Sequence, residues 1–113
     1  MVSLHGKIVY LSGPVSKVDF TEAKQKFVDL EARVRQFWPQ QIHNPIDFDA
    51  PTVQLDEMQR WCWYMRQSVR RLAMCDVIVL MDNYVISKGS RLEKYLAEEL
   101  GMEIIHEKEL RGL

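Results

Sequence analysis

Short apolar runs recur along the chain at four places. The runs at 7–12 (KIVYLS) and 76–81 (DVIVLM) are apolar almost throughout, which is typical of strands that are covered on both faces. Shorter runs at 41–44 (QIHN) and 102–106 (MEIIH) predict two further strands. Gly13-Pro14 follows the first run and Pro45 follows the second, so turn residues end both.

Between these runs the apolar residues change to steps of three and four, which is the period of an amphipathic helix. One helix is predicted to begin after Asp19 and to end before Pro39, a second spans 55–74, and a third spans 90–100 with Gly101 as its C-terminal cap. Residues 107–113 form a tail with room for one helical turn. The stripe of the first helix consists of Phe20, Ala23, Phe27, Leu30, Val34 and Trp38.

Strands that alternate with helices predict parallel pairing through right-handed crossovers. We therefore expect one α/β domain over residues 1–113, with a doubly wound, flavodoxin- or Rossmann-like sheet of four parallel strands. The expected strand order is 2-1-3-4, with helices on both faces. Such sheets bind ligands where the strand order reverses, here between the first and third strands. The loops that meet there are 13–19 and 82–90.

Composition narrows the classes of partner. The chain has 113 residues, of which 47% are hydrophobic and 27% charged, and its net charge is −1. That balance predicts neither a nucleic-acid nor a membrane partner. No apolar stretch reaches the length of a membrane span, and the N-terminus lacks a signal-peptide pattern. Two cysteines in apolar surroundings predict a reduced, cytoplasmic protein, and the three histidines show no metal-ligand spacing.

Ser12-Gly13-Pro14 is the first candidate for chemistry. A glycine at this point lets the backbone approach a ligand, but any strand-to-helix turn also favours Gly and Pro. Neither GxGxxG nor the Walker lysine motif is present, which excludes a standard nucleotide-binding loop. Asn44, which precedes Pro45, also allows two interpretations. Its side chain could bind a ligand or make the turn, and we favour the turn.

The stretch SKGSRLE, residues 87–93, allows two interpretations. Ser90 and Glu93 have the spacing of a capping box, in which each side chain satisfies a backbone N–H of the other residue. The same spacing would also aim a carboxylate near the start of a helix at the crevice of the sheet. There the helix dipole and nearby N–H groups would keep it ionised as a nucleophile. Spacing alone does not choose between the two.

Three motifs in order carry a resemblance to a known family. They are VYLSGP near the N-terminus, WxxYMRxxxxxLxxCDxIxL in the middle, and SxGxxxE followed by AxxxG. Together they cover almost the whole chain and resemble the nucleoside 2-deoxyribosyltransferase superfamily. The closer resemblance is to its small branch known as a domain of unknown function, DUF4406.

The resemblance implies a function. Enzymes of that superfamily use the glutamate after the glycine, here Glu93, to attack the anomeric carbon of a nucleoside. The base leaves, and a second base or water then releases the sugar, as in retaining glycosyl transfer. The expected substrate is a nucleoside or a nucleoside 5′-monophosphate, with no cofactor and no metal. The predicted substrate-binding residues are Tyr10, Ser12, Gly13, Pro14, Asp19, Asn44, Asp82, Ser87, Gly89 and Ser90.

The chain departs from the family pattern at two positions. Transferases carry an aspartate where Ser68 stands and commonly another at Ser87, so the general acid and the group that holds the sugar hydroxyls are replaced. Asp19, Asp82 and His43 are possible substitutes. The alternative function is a catalytically impaired module that only binds a nucleotide. A third interpretation is a structural oligomer in which Glu93 is only a cap.

Two further expectations concern assembly and access. Three aromatics within a turn and a half of helix, Trp61, Trp63 and Tyr64, cannot all face one small core, which favours a homodimer or higher homo-oligomer. In relatives a neighbouring subunit completes the pocket. The sugar-transfer interpretation also requires Glu93 to face an open cleft beside Gly13-Pro14, with room for a pentose.

Overall fold

The sheet has the predicted topology. The computed structural model describes residues 2–111, and its four strands are β1 (Ile8–Ser12), β2 (Gln41–His43), β3 (Val77–Leu80) and β4 (Glu103–His106). All pairings are parallel, and the spatial order is β2-β1-β3-β4. The predicted fold class is therefore confirmed. The reversal of strand order lies between β1 and β3, and the two loops expected there leave the sheet on either side of it.

Three α-helices connect the strands: α1 (Phe20–Arg35), α2 (Glu57–Leu72) and α3 (Lys88–Glu99). Short 3-10 helices lie at Pro45–Asp47, Tyr84–Ile86 and Glu107–Leu110, the last of which is the helical turn expected in the tail. None of the helices in residues 2–111 combines the length and the apolar character that crossing a bilayer requires.

The first helix is shorter than predicted at its C-terminal end. Asp19 caps its start, accepting a hydrogen bond from the N–H of Glu22 at 2.9 Å, as expected. It ends at Arg35, and Trp38 has a left-handed φ of 54° and is 75% exposed. The reason is Pro39, which disfavours helical geometry in the residue before it. Phe20 is also exposed, so the buried stripe of α1 is shorter than predicted. It consists of Ala23, Phe27, Leu30 and Val34.

Two apolar cores lie on opposite faces of the sheet. Val9, Leu11 and Val79 pack on one face with Phe27 and Leu30 of α1. On the other face are Tyr10, Ile78, Leu80, Leu72 and Ala97, which belong to the strands, α2 and α3. This confirms helices on both faces and explains why β1 and β3 are apolar throughout. The arrangement also determines which face of the sheet carries the candidate site. Side chains alternate along β1, so Tyr10 and Ser12 both point to the face covered by α2 and α3.

Asp76 has a structural role at the other end of the sheet. Its carboxylate accepts a hydrogen bond from the backbone N–H of Ile8 at 2.9 Å, which ties the start of β1 to the residue before β3.

Candidate active site

Glu93 is held by two hydroxyl groups of β1. Its Oε2 accepts a hydrogen bond from the Tyr10 hydroxyl at 2.6 Å, and its Oε1 accepts one from Ser12 Oγ at 2.6 Å. Both distances are in the short range typical of hydroxyl donors to a carboxylate. The fold thus brings a predicted nucleophile from α3 against two predicted substrate-binding residues more than eighty positions earlier.

The topology explains this meeting. Tyr10 and Ser12 are two residues apart on β1 and therefore project from the same face of the sheet. β3 lies next to β1, with Ser12 opposite Leu80, so the helix that follows β3 begins close to the carboxyl end of β1. Glu93 and Ala97 form the inner side of that helix, one turn apart, and both are buried.

Burial dominates the electrostatics of the pair. Loss of water contact raises the pKa of the Glu93 carboxyl above its usual range, and hydrogen bonding from Ser12, Tyr10 and Ser68 pulls it partly back. The pKa of the Tyr10 hydroxyl is raised well above its usual value by burial and by the negative charge of Glu93. Tyr10 therefore remains a proton donor at physiological pH, and Glu93 keeps its proton to higher pH than an exposed glutamate.

Ser68 is the residue whose contribution the sequence analysis missed. We noted it only as a departure from an acidic residue in relatives, whereas its hydroxyl lies beside Tyr10 and Glu93 and lowers the pKa of each. It is 6% exposed. The signal was present in the sequence: Ser68 shares an inward stripe of α2 with Trp61, Met65 and Leu72, and a polar residue in such a stripe needs a partner.

The capping-box interpretation of Ser90 and Glu93 is wrong. α3 begins at Lys88, two residues earlier than predicted, and its cap is Ser87, whose Oγ accepts the N–H of Ser90 at 3.1 Å. Both carboxylate oxygens of Glu93 are directed to β1 instead. Ser90 Oγ is buried and has no hydrogen-bond partner within residues 2–111.

The open cleft expected in front of Glu93 is not present in this conformation. Glu93 is 5% exposed, and the hydroxyls of Tyr10 and Ser12 occupy the space between its carboxylate and β1. A cleft of about 220 Å³ does lie at the switch point, lined by residues that include Pro14, Asp19 and Met81, but Glu93 is not part of its lining. A larger groove of about 670 Å³ runs along α2, lined by residues that include Trp61, Met65 and Val69.

Packing alone accounts for two of the predicted glycines. A Cβ on Gly13 would lie 2.8 Å from Cγ of Met81, and one on Gly89 would lie 3.0 Å from Sδ of Met65. Methionine side chains thus fill the space beside both glycines, so neither position needs a ligand to explain its glycine.

The remaining predicted polar residues have partners of their own. Asp19 caps α1. Asn44 makes the turn, since its Oδ1 accepts the N–H of Ile46 at 3.2 Å, and its amide donates to Oε1 of Glu31 at 3.1 Å. Asp82 forms an ion pair with Arg111. None of the three contacts Glu93.

His43, a possible substitute acid, is also engaged elsewhere. It is 6% exposed and its Nδ1 lies 3.5 Å from Nη1 of Arg71. Burial, and then the charge of Arg71, lowers the pKa of His43, so its neutral form prevails at physiological pH. Within residues 2–111 no group of three or more His, Cys, Asp or Glu side chains is arranged to hold a metal ion.

The fold is similar to that of a solved enzyme. The chain shares its fold with a 2-deoxyribosyltransferase from the psychrotolerant bacterium Bacillus psychrosaccharolyticus, with a TM-score of 0.57. The two are 17% identical, and the match covers 88% of this chain and 70% of that one. At this identity the likeness shows the fold. That enzyme is described as a biocatalyst for the synthesis of antiviral and antitumoral nucleosides.

The family follows from the sequence. The model of the domain of unknown function DUF4406 matches residues 7–106, so the chain belongs to the DUF4406 family. The match begins just before β1 and ends with β4, and it includes Tyr10, Ser12 and Glu93. No curated protein matches the chain.

Proposed function

We propose that this protein breaks or transfers the N-glycosidic bond of a nucleoside or nucleoside 5′-monophosphate, with Glu93 as the nucleophile. The observation that supports this most directly is the Glu93 carboxylate fixed by the Tyr10 and Ser12 hydroxyls, each at 2.6 Å, at the carboxyl end of β1. This is the edge where doubly wound sheets bind ligands. The shared fold with a 2-deoxyribosyltransferase points to the same chemistry.

The two hydroxyls orient the carboxylate and leave some of its lone pairs free. A carboxylate has about four lone-pair sites, and each hydroxyl occupies one of them. The remaining lone pairs are available to attack an anomeric carbon. Fixing both oxygens also restricts rotation of the side chain, which lowers the entropic cost of reaching the attacking geometry.

Substrate entry requires a local rearrangement. Because Glu93 is 5% exposed, a pentose can reach it only if a covering group moves. Ser12 ends β1 and is followed by the Gly13-Pro14 turn, and the loop after β3 holds the 3-10 helix Tyr84–Ile86. We assign the opening to these two loops, since both end at the switch point.

The reaction would proceed in two displacements. Ionised Glu93 attacks the anomeric carbon, the base departs, and a glycosyl ester forms on the carboxylate. Water or a second base then attacks the same carbon and restores the carboxylate. Tyr10 stays protonated and stabilises the carboxylate when it is released, because its own pKa is raised.

The test is release of free base from a panel of nucleosides and 5′-monophosphates, followed by chromatography. Glu93→Gln should abolish release while leaving the protein folded. Glu99→Gln, at an exposed position of the same helix, is the matched control and should release base at the wild-type rate. If folded wild-type protein releases no base from any compound, the proposed activity is wrong.

A second candidate function is supported by the hydroxyls around Glu93. Ser68 and Ser87 stand where transferases carry aspartates, and the carboxylate is covered by the protein's own side chains. Such a site would suit a module that binds a nucleotide without turning it over. It predicts thermal stabilisation by a nucleotide with no release of base, and the absence of any thermal shift across the panel would contradict it.

The assembly and location follow the same proposal. We propose a cytoplasmic homodimer or higher homo-oligomer, in which a neighbouring subunit could contribute to the pocket. Trp61, Trp63 and Tyr64 are each partly exposed, and Trp61 lines the groove along α2. Partly exposed aromatics of this kind are typical of protein interfaces.

A further inference from the structure

Cleaving an N-glycosidic bond places a pair of electrons on the departing base. For an ordinary nucleoside the base is neutral and leaves well only if a general acid protonates it. Such a group contributes roughly two to four orders of magnitude in rate. Whether an acid lies near Glu93 therefore limits the kind of base that this site can release.

The groups that surround the Glu93 carboxylate are hydroxyls. Tyr10 and Ser12 donate to it directly, and Ser68 lies beside it. Within residues 2–111 no carboxyl or imidazole group hydrogen-bonds to Glu93 or to the hydroxyls of Tyr10 and Ser12. A serine hydroxyl is far too weak an acid to protonate a base near neutral pH, and Tyr10 holds its proton more tightly than a free phenol.

The side chains that could replace the missing general acid make contacts elsewhere in the structure. Asp19 caps α1, and Asp82 pairs with Arg111. His43 lies beside Arg71, which favours its neutral form. Ser87, where transferases commonly carry an aspartate, uses its hydroxyl to cap α3.

The charges around the surrounding loops are nearly balanced. The three loops that leave the carboxyl ends of β1, β2 and β3, residues 13–19, 44–56 and 82–87, contain five exposed aspartates and one lysine. Arginines of the helices and the tail lie against the same loops: Arg60 and Arg91 donate to loop carbonyls, and Arg111 pairs with Asp82. The chemistry of the substrate is therefore inferred from the groups around Glu93.

From the hydroxyl surroundings of Glu93, we infer that the substrate is a nucleoside whose base carries a fixed positive charge. N-alkylated purine and pyridinium nucleosides are examples of this class. The inference rests on the proposed function and narrows it. A cationic base needs no general acid.

The electron balance is complete without a proton donor. One oxygen of Glu93 forms a bond to the anomeric carbon while the bond from that carbon to the ring nitrogen breaks. The electron pair returns to the base and cancels its positive charge, so the base departs as a neutral molecule. Water then adds to the anomeric carbon, the ester bond to Glu93 breaks, and the proton of the water is lost to solvent.

The direct test compares 7-methylguanosine with guanosine, which differ by one methyl group and one charge. With spontaneous hydrolysis subtracted, we expect kcat/KM to be about a hundredfold or more higher for the methylated nucleoside, the contribution of one missing general acid. For a pyridinium nucleoside, whose ring charge does not titrate, we also expect the rate to rise with pH to a plateau, without the falling limb that a general acid produces.

Replacing Ser68 provides the matched variants. Ser68 is buried beside Glu93, so an aspartic acid at this position would keep its proton because of burial and the neighbouring carboxylate. Ser68→Asp therefore adds a proton donor, whereas Ser68→Asn adds an amide of the same size that cannot protonate a base. With both variants folded by circular dichroism, Ser68→Asp should narrow the difference between the two nucleosides, and Ser68→Asn should leave the difference unchanged.

The outcomes separate this inference from the proposed function. Equal cleavage of both nucleosides by the wild-type protein, or faster cleavage of guanosine, overturns the inference and leaves the glycosidic activity standing. Cleavage of neither, and of no other cationic nucleoside, removes the proposed function itself. An unchanged ratio in folded Ser68→Asp would show that the preference for the charged base has another origin, and it too overturns the inference.

Discussion

Tyr10→Phe tests whether Glu93 is ionised in the folded protein. The change deletes one hydroxyl at a fully buried position and removes the 2.6 Å hydrogen bond to Oε2 of Glu93. A hydrogen bond to a charged group contributes about 1.5–3 kcal/mol, and one between neutral groups about 1 kcal/mol. The free energy of unfolding should therefore fall by about 1 kcal/mol where Glu93 is protonated, and by about 2–3 kcal/mol where it is ionised.

The pH dependence has a definite sign. Because the folded-state pKa of Glu93 is raised above its unfolded value, folding takes up protons on this group. Its contribution to stability is therefore fully present below the unfolded pKa and is lost as pH rises through the folded pKa. Tyr10→Phe removes a donor that lowers that pKa, so the loss should be larger in the variant. The difference between the two proteins should grow with pH and then level off.

The assay is urea unfolding, followed by circular dichroism, over a series of pH values from mildly acidic to mildly alkaline. Tyr10→Phe is combined with Glu93→Gln in a double-mutant cycle, which isolates the coupling between the two side chains. In the Gln background the charge is gone, and Tyr10→Phe should cost about 1 kcal/mol at every pH. Tyr95→Phe, exposed on α3, is the control and should change stability by less than about 0.5 kcal/mol.

Two results would refute the reasoning. A cost of Tyr10→Phe that is the same at every pH would mean that the charge on Glu93 does not change across the range. A coupling energy near zero in the cycle would mean that Tyr10 and Glu93 do not stabilise each other. The hydrogen bond between them would then give no support to the proposed function.

Three further predictions concern packing, thiols and assembly. Gly13→Ala should destabilise the protein by about 1–3 kcal/mol, because its Cβ would overlap Met81; thermal unfolding measures this, and a smaller loss in the Met81→Ala background would identify the clash. In the folded protein an alkylating reagent should modify Cys62 well before Cys75, because burial raises the pKa of the Cys75 thiol to about 12; equal labelling by mass spectrometry would contradict this. Sedimentation velocity should give at least a dimer, and a monomer at high concentration would remove the predicted assembly.

The sheet could be predicted because its signal is local and redundant. β1 and β3 are apolar on both faces, and a strand with such a pattern must be covered on both sides. Once strands alternate with helices, the handedness of the crossovers leaves few possible orders. The ends of the helices were harder to predict, since they depend on single residues. Pro39 shortened α1, and the choice of Ser87 over Ser90 as the cap moved the start of α3.

The site could be predicted only as a set of residues. Glu93 and Tyr10 were identified through motifs, but the hydrogen bonds that join them depend on which strand lies beside which and on the face of β1. The role of Ser68 was missed because a motif records residues that relatives share, whereas Ser68 is a position where this chain differs. The three- and four-residue spacing along α2 already predicts that Ser68 lies on the buried side of the helix.

The stretch SKGSRLE shows how one motif can serve structure and chemistry through different residues. Two tasks compete at the start of α3, since the free N–H groups must be capped and a carboxylate must reach β1. If Glu93 satisfied the cap, it could not also face Tyr10 and Ser12. Placing the cap on Ser87 frees Glu93 for the sheet, and the spacing of six residues between them puts the carboxylate on the inner side of the second turn. A carboxylate at position 87 would be held ionised by the same N–H groups, so neither serine nor aspartate there could both cap α3 and donate a proton. The serine is thus explained by capping, for a reason unrelated to catalysis. Whether the reaction needs a proton donor at all is then a question about the substrate, which the two Ser68 variants address directly.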